Sequence, residues 1–271
     1  LPRRLGGGGR VSGPARRARL AAPAWCLFDW ANSPFPTVVI TFVFAVSFQR
    51  GIVGDPVEAT ALWGWAISLS ALAVAALAPL LGAAADAGAR RKPWLAACSL
   101  VTVAACALLW FAEPGCSSIW LVLVLVGLGN FGFEMGMVFY NAMLPGLTRD
   151  DRVGRLSGWA WGLGYIGGLA CLALALVVFI QADPAPFGLV AEAQEPVRAV
   201  ALLVAAWFVL FGWPLFVFTP DLEPTGLTFG QSLHKGLSTL IATFRRIREH
   251  REIARFIIAR MLYIDGLNTL F

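Results

Sequence analysis

The chain has 271 residues, 58% hydrophobic and 14% charged, with a formal net charge of +5 and a mean hydropathy of +0.73. Soluble domains run nearer about 45–50% apolar and about 25% charged, so this composition excludes a water-soluble enzyme. Backbone in lipid must satisfy its own hydrogen bonds in helices or a closed barrel, and the apolar runs here do not alternate as barrel strands do. An all-α polytopic membrane protein is the expected class.

The first 24 residues carry Arg3, Arg4, Arg10, Arg16, Arg17 and Arg19 and are expected to form a basic cytoplasmic tail. A membrane-crossing helix needs about 20 apolar residues. Six runs qualify: Trp25–Gln49, Ala59–Ala85, Trp94–Ala112, Ser117–Thr148, Leu156–Ala182 and Ala199–Thr219. Residues 25–219 are therefore expected to form a six-helix bundle. A linker over 220–254 follows, with an amphipathic stretch over Phe244–Ala254 in which apolar residues stand among basic ones, as on a helix lying on an anionic leaflet. A seventh run begins near Phe256, and residues 255–271 read as the start of a seventh helix, cut off at Phe271. With six crossings, the tail, the 86–93 and 149–155 loops and the segment after 220 share one side, which holds 19 of the 21 Lys and Arg; Arg50 and Arg198 lie on the other. The positive-inside rule then places the N-terminus in the cytoplasm. The basic balance needs no nucleic-acid partner to explain it.

Cys26, Cys98, Cys106, Cys116 and Cys171 lie in or beside the membrane runs without CxxC spacing, and His234 and His250 have no ligand neighbours. No metal site or cofactor is expected. Phosphate-binding, zinc-protease and serine-hydrolase motifs are likewise missing from the sequence.

Asp29, Glu134 and Asp265 are the carboxylates within the apolar runs. Each costs about 2.5 kcal/mol or more at a helix centre, so such residues usually face a bundle interior and mark a solute or proton path. Asp29 and Asn32 stand at i,i+3 on one helix face, followed by Pro34 and Pro36, each of which removes a backbone donor and kinks the helix. On the fourth run Glu134 and Asn141 are nearly eclipsed at i,i+7, with Tyr140 adjacent. Asp29-Trp-Ala-Asn32-Ser-Pro-Phe35 aligns with Asp265-Gly-Leu-Asn268-Thr-Leu-Phe271, so the seventh helix repeats the first, and substrate sites of transporters often lie at such repeat interfaces. The pairs Gly132/Gly136, Gly158/Gly162 and Gly164/Gly168 are small-xxx-small faces expected to pack helices closely.

The 82–92 loop, Gly82-Ala-Ala-Ala-Asp86-Ala-Gly88-Ala-Arg90-Arg91-Lys92, is similar to the signature between helices 2 and 3 of the major facilitator superfamily. It departs from that signature at Ala87, where a basic residue is usual, and at Ala89, where a glycine is usual. The stretches around Phe28–Ser33, Gly132–Pro145, Ser157–Gly168 and Arg260–Asn268 resemble the vacuole-effluxer-like branch. The resemblance implies the N-terminal six-helix bundle of a twelve-helix fold. It assigns Gly82, Asp86, Gly88, Arg90, Arg91 and Lys92 to a conformational latch against the second half.

By this reading the protein is a secondary active transporter in a bacterial cytoplasmic membrane, working by alternating access. Its partners would be a small solute, amino acids among the candidates, and H+, with the C-terminal half of the same protein completing the path. Asp29, Asn32, Glu134, Tyr140, Asn141, Asp265 and Asn268 would form that path. Two alternatives stand beside it: an intramembrane enzyme using paired Asp29 and Asp265, and a permease fragment that does not transport.

Overall fold

The structure, a computed structural model, describes residues 13–88, 90–115, 118–221, 225–246, 252, 255–256 and 258–263. All regular structure among the described residues is helical. Among the described residues six helices are long and apolar enough to cross a membrane: α1 (Arg19–Val53), α2 (Pro56–Gly88), α3 (Lys92–Phe111), α4 (Ile119–Gly146), α5 (Asp150–Ile180) and α6 (Glu195–Phe218). Each overlies one of the six apolar runs. The first differs at its start, because helical turns begin at Gly13, inside the stretch read as a tail. A seventh helix, α7, spans Phe229–Arg246.

Two compact units divide the chain, Leu1–Ala75 with Arg90–Leu222, and Ala76–Ala89 with Glu223–Phe271. In the first, α3 and α4 pack through small residues. A Cβ at Gly132 would lie 2.7 Å from the Cys98 carbonyl oxygen and from Thr102 Oγ1, and one at Gly136 would sit 3.5 Å from the Cys98 Cβ. Only a residue without a side chain permits the first approach. The Thr102 hydroxyl donates to the Gly129 carbonyl across this seam at 3.2 Å. On α2, Ser70 accepts from Asn130 of α4 at 2.8 Å, which satisfies both polar groups in a buried position.

Helix α1 lies against α5 and α6, and its irregular middle follows from its prolines. Regular turns end at Asn32 and give way to wide i→i+5 turns over Phe35–Phe42, a short regular piece Phe44–Ser47 and wide turns again over Phe48–Val53. Pro34 has no N–H to offer the Trp30 carbonyl one turn back. The indole of Trp207 on α6 donates to that carbonyl instead, at 3.2 Å. The helix thus becomes irregular where the kink is expected, at Ser33–Pro36, and the carbonyl freed at Trp30 is paired.

The second unit joins the last turns of α2 to α7. Thr225 donates to the Gly88 carbonyl through its N–H (3.4 Å) and to the Ala87 carbonyl through its hydroxyl (2.9 Å), closing the C-terminal end of α2. A Cβ at Gly236 would fall 2.7 Å from the Ala84 backbone nitrogen, and one at Gly88 would lie 3.3 Å from Ser232 Oγ. Leu237 and Ile241 of α7 are exposed, near the exposed His234 and Lys235. Helix α7 lies within the expected 220–254 linker and overlaps the stretch Phe244–Ala254 at residues 244–246; most of the remainder of that stretch lies outside the described residues. Of the seventh span, residues 255, 256 and 258–263 are helical, while Asp265 and Asn268 lie outside the described residues.

Candidate functional site: a cleft beside Asp29

Asp29 is 6% exposed although it belongs to a chain whose other described carboxylates are mostly at the surface. It opens onto a cleft of about 300 Å³ lined by α1 (Asp29, Ser33, Pro36, Thr37, Thr41, Phe42), α4 (Met137) and α5 (Trp161, Gly164, Tyr165). Asp29, Ser33, Thr37 and Thr41 are spaced four apart, which on a helix stacks them on one face. The hydroxyls form a ladder: Ser33 donates to the Asp29 carbonyl at 2.7 Å, Thr37 to the Ser33 carbonyl at 2.9 Å, and Thr41 to the Pro36 carbonyl at 2.9 Å. The carboxylate of Asp29 accepts no hydrogen bond among the described residues.

Gly164 is what leaves that carboxylate accessible. A Cβ there would come 2.7 Å from Ser33 Oγ and 3.3 Å from Asp29 Oδ2. Gly167 and Gly168 continue the same contact, with Cβ positions 2.6 Å from the Trp30 carbonyl and 2.8 Å from Thr37 Oγ1. The expected packing role thus falls to Gly132, Gly136, Gly164 and Gly168. Gly158 and Gly162 differ, since a Cβ at either meets nothing within 4 Å: they stand on the side of α5 turned away from α1.

Asn32 is buried, and its amide Nδ2 donates to the Met137 sulfur at 3.2 Å, while its Oδ1 has no partner among the described residues. Asp29, Asn32 and α4 are therefore brought together through Met137. Glu134 and Asn141, one turn to either side of Met137, are both exposed, so α4 carries an uncovered acid and amide beside the cleft. Tyr140 is not with them. It is 1% exposed, its ring stacks on Trp25 at 4.3 Å between centroids, and its hydroxyl donates to the Trp25 carbonyl at 3.1 Å. The Trp25 indole returns a bond to the Tyr140 carbonyl, also at 3.1 Å. This reciprocal pair fastens α1 to α4.

Sequence reasoning missed Ser33, Thr37, Thr41, Trp161 and Tyr165 as cleft residues. For the first three the signal was available in the fourfold spacing from Asp29. For the two aromatics it was not, because nothing in the sequence says which face of α5 meets α1.

Of the latch residues, Asp86 and Arg90 are exposed. Arg91 and Lys92 are engaged within the bundle, where a latch against a second half was expected. The Arg91 guanidinium donates to the Ala142 carbonyl near the end of α4. The Lys92 ammonium donates to the Phe216 carbonyl at 3.1 Å and to the Thr219 carbonyl, both at the end of α6. Cations there complement unpaired carbonyls and the negative end of the helix dipole. In return, the Asp221 carboxylate accepts from the backbone N–H groups of Arg91 (3.1 Å) and Lys92 (3.3 Å), capping α3.

A family described as vacuole effluxer Atg22 like matches residues 50–271. An uncharacterized MFS-type transporter of Bacillus subtilis (strain 168), YxiO, is 31% identical over 258 residues, which cover 91% of this chain and 57% of that protein. This chain thus spans little more than half the length of that relative. No solved structure matches. The family match begins after Asp29, but 91% coverage by the relative leaves too few residues over to exclude the span that carries it. Both descriptions are of transporters, which sets aside hydrolysis by paired aspartates. The chain belongs to the vacuole effluxer Atg22-like family, a branch of the MFS-type transporters.

Proposed function

We propose that the protein is the N-terminal bundle of a secondary active transporter in which a small solute, coupled to H+, passes along the face carrying Asp29 and Glu134. The observation that carries this reading is the Asp29 cleft, a buried carboxylate on a broken helix with room beside it for a solute. Broken helices expose backbone and polar groups at membrane depth only where they line a cavity. Arg19 is the last basic residue before Asp29, and ten residues of helix put about 15 Å between them, so the carboxylate lies well inside the apolar run. A carboxylate there can hold a proton or a cation.

Glu134 and Asn141 support a second bundle. A carboxylate left against lipid at the middle of a span costs about 2.5 kcal/mol or more, so a protein surface or aqueous path must cover it. The second half of the full-length protein would supply that cover, with Asp265 and Asn268 answering Asp29 and Asn32 across the path. On this reading Gly82, Asp86 and Gly88 take part in a latch between halves, and the basic loops support an N-terminus on the cytoplasmic side of a bacterial cytoplasmic membrane. Amino acids are the candidate solutes implied by the resemblance to the vacuole-effluxer-like branch, whose description gives efflux without naming a solute.

The test is uptake by the full-length gene product in liposomes, using a mixed radiolabelled amino-acid pool with and without a pH gradient. Gradient-dependent uptake that falls to background in Asp29→Asn is the expected result. Undiminished uptake in both Asp29→Asn and Glu134→Gln would overturn the assignment.

A further inference from the structure

We infer that the Asp29 cleft is an ammonium site, one that takes the positively charged amine of an organic solute and excludes its anionic and neutral counterparts. The inference deepens the transport reading above and rests on it for its physiological meaning. It follows from which hydrogen-bonding capacity of the cleft is already used. A hydroxyl has one proton and two lone pairs. Ser33, Thr37 and Thr41 each give that proton to a backbone carbonyl, at 2.7, 2.9 and 2.9 Å. What α1 presents to the cleft is therefore a carboxylate and three oxygens that can only accept. The Met137 sulfur, already accepting from Asn32, adds no donor.

The facing wall holds two side-chain donors, the Trp161 N–H and the Tyr165 O–H, but both are uncharged and it offers no counter-charge to an anion. Trp161 and Tyr165 of α5 line the cleft with their ring centroids 6.0 Å apart and their planes inclined at 61°, and the faces of such rings attract cations. Among the described residues, no Lys, Arg or His lines the cleft. A solute's carboxylate would find no cation there, whereas an ammonium group would find a counter-charge, acceptors for its N–H groups and aromatic faces. Size argues against a bare metal ion as the occupant: about 300 Å³ is on the order of ten times the volume of one water. A zwitterion would be held by its amine at this cleft, with its carboxylate outside it.

The experiment measures binding to the purified full-length gene product in detergent, at matched ionic strength, with four probes: benzylammonium, benzyl alcohol, benzoate and sodium ion. Saturable binding of benzylammonium alone is expected. It should weaken about tenfold or more in Asp29→Asn, since removing one partner of a desolvated charge pair costs at least that much, and several-fold in Trp161→Leu. Benzoate or benzyl alcohol binding as tightly as benzylammonium overturns the inference, as does sodium being the preferred ligand or undiminished benzylammonium binding in Asp29→Asn. If Asp29→Asn is not monodisperse, Trp161→Leu and Tyr165→Leu carry the test, both being exposed positions. The two readings fail separately. Benzylammonium bound through Asp29 with no solute moved in liposomes keeps the ammonium site and sinks transport, while transport without discrimination by charge does the reverse.

Discussion

At position 164 the absence of a side chain decides whether Asp29 can be reached. In Gly164→Ala the new methyl would press on Ser33, which cannot yield easily because its hydroxyl is bonded to the Asp29 carbonyl. Uptake by the full-length protein is expected to fall by about tenfold or more, with a stability loss of about 1–3 kcal/mol from overpacking, partly offset by the better helix propensity of Ala. Gly158→Ala meets open space and is expected to leave the unfolding midpoint unchanged or raise it, by up to about 1 kcal/mol of helix propensity. Thermal unfolding in detergent compares the two, and the opposite ranking would mean that α5 turns its other face to α1. The sequence treats these glycine pairs alike because small-xxx-small spacing is the same on any face of a helix. Tyr140 carries a different lesson. Six residues at 100° each leave it about 240° around α4 from Glu134, so helical arithmetic alone separates it from the acid that its chemistry suggests it should join.

Among the elements, the six spans were legible because length and apolarity suffice to mark a crossing, and the break in α1 because two prolines remove donors at known places. The role of the 90–92 cluster was not legible, because its partners come from the ends of α4 and α6, distant in sequence. Three helix ends meet there: Arg91 serves α4, Lys92 serves α6 and Asp221 serves α3. Asp221→Ala removes the cap from α3 and is expected to lower the unfolding free energy by about 1 kcal/mol, the usual value of an N-cap. Asp221→Asn keeps an acceptor and should lose less. Denaturant titration of both variants measures the difference, and equal, negligible losses would show that water replaces the carboxylate there.

For the molecule as a whole, orientation is the property on which the proposed path depends. The chain carries five cysteines, of which Cys26, Cys98, Cys106 and Cys171 are buried. Replacing Cys116 with Ser leaves a background suited to labelling. Asp55 and Asp150 are exposed at the α1–α2 and α4–α5 connections. In intact cells a membrane-impermeant maleimide is expected to label Asp55→Cys, and to reach Asp150→Cys only after permeabilisation. The reverse pattern would place the N-terminus outside.

The cap on α3 also bears on the order in which the protein can be completed. Asp221 stands 130 residues after the backbone N–H of Arg91 that it caps. At roughly 5–20 residues per second, a ribosome takes on the order of ten seconds to add that stretch. For that interval α3 is already made while the start of its helix waits for a partner not yet synthesised. Residue 92 likewise waits for the carbonyls at 216 and 219. The end of the bundle that carries residues 91, 92 and 221 is thus a joint that closes late, after α6 has emerged, and a nascent chain arrested before residue 221 would hold its helices with that joint still open.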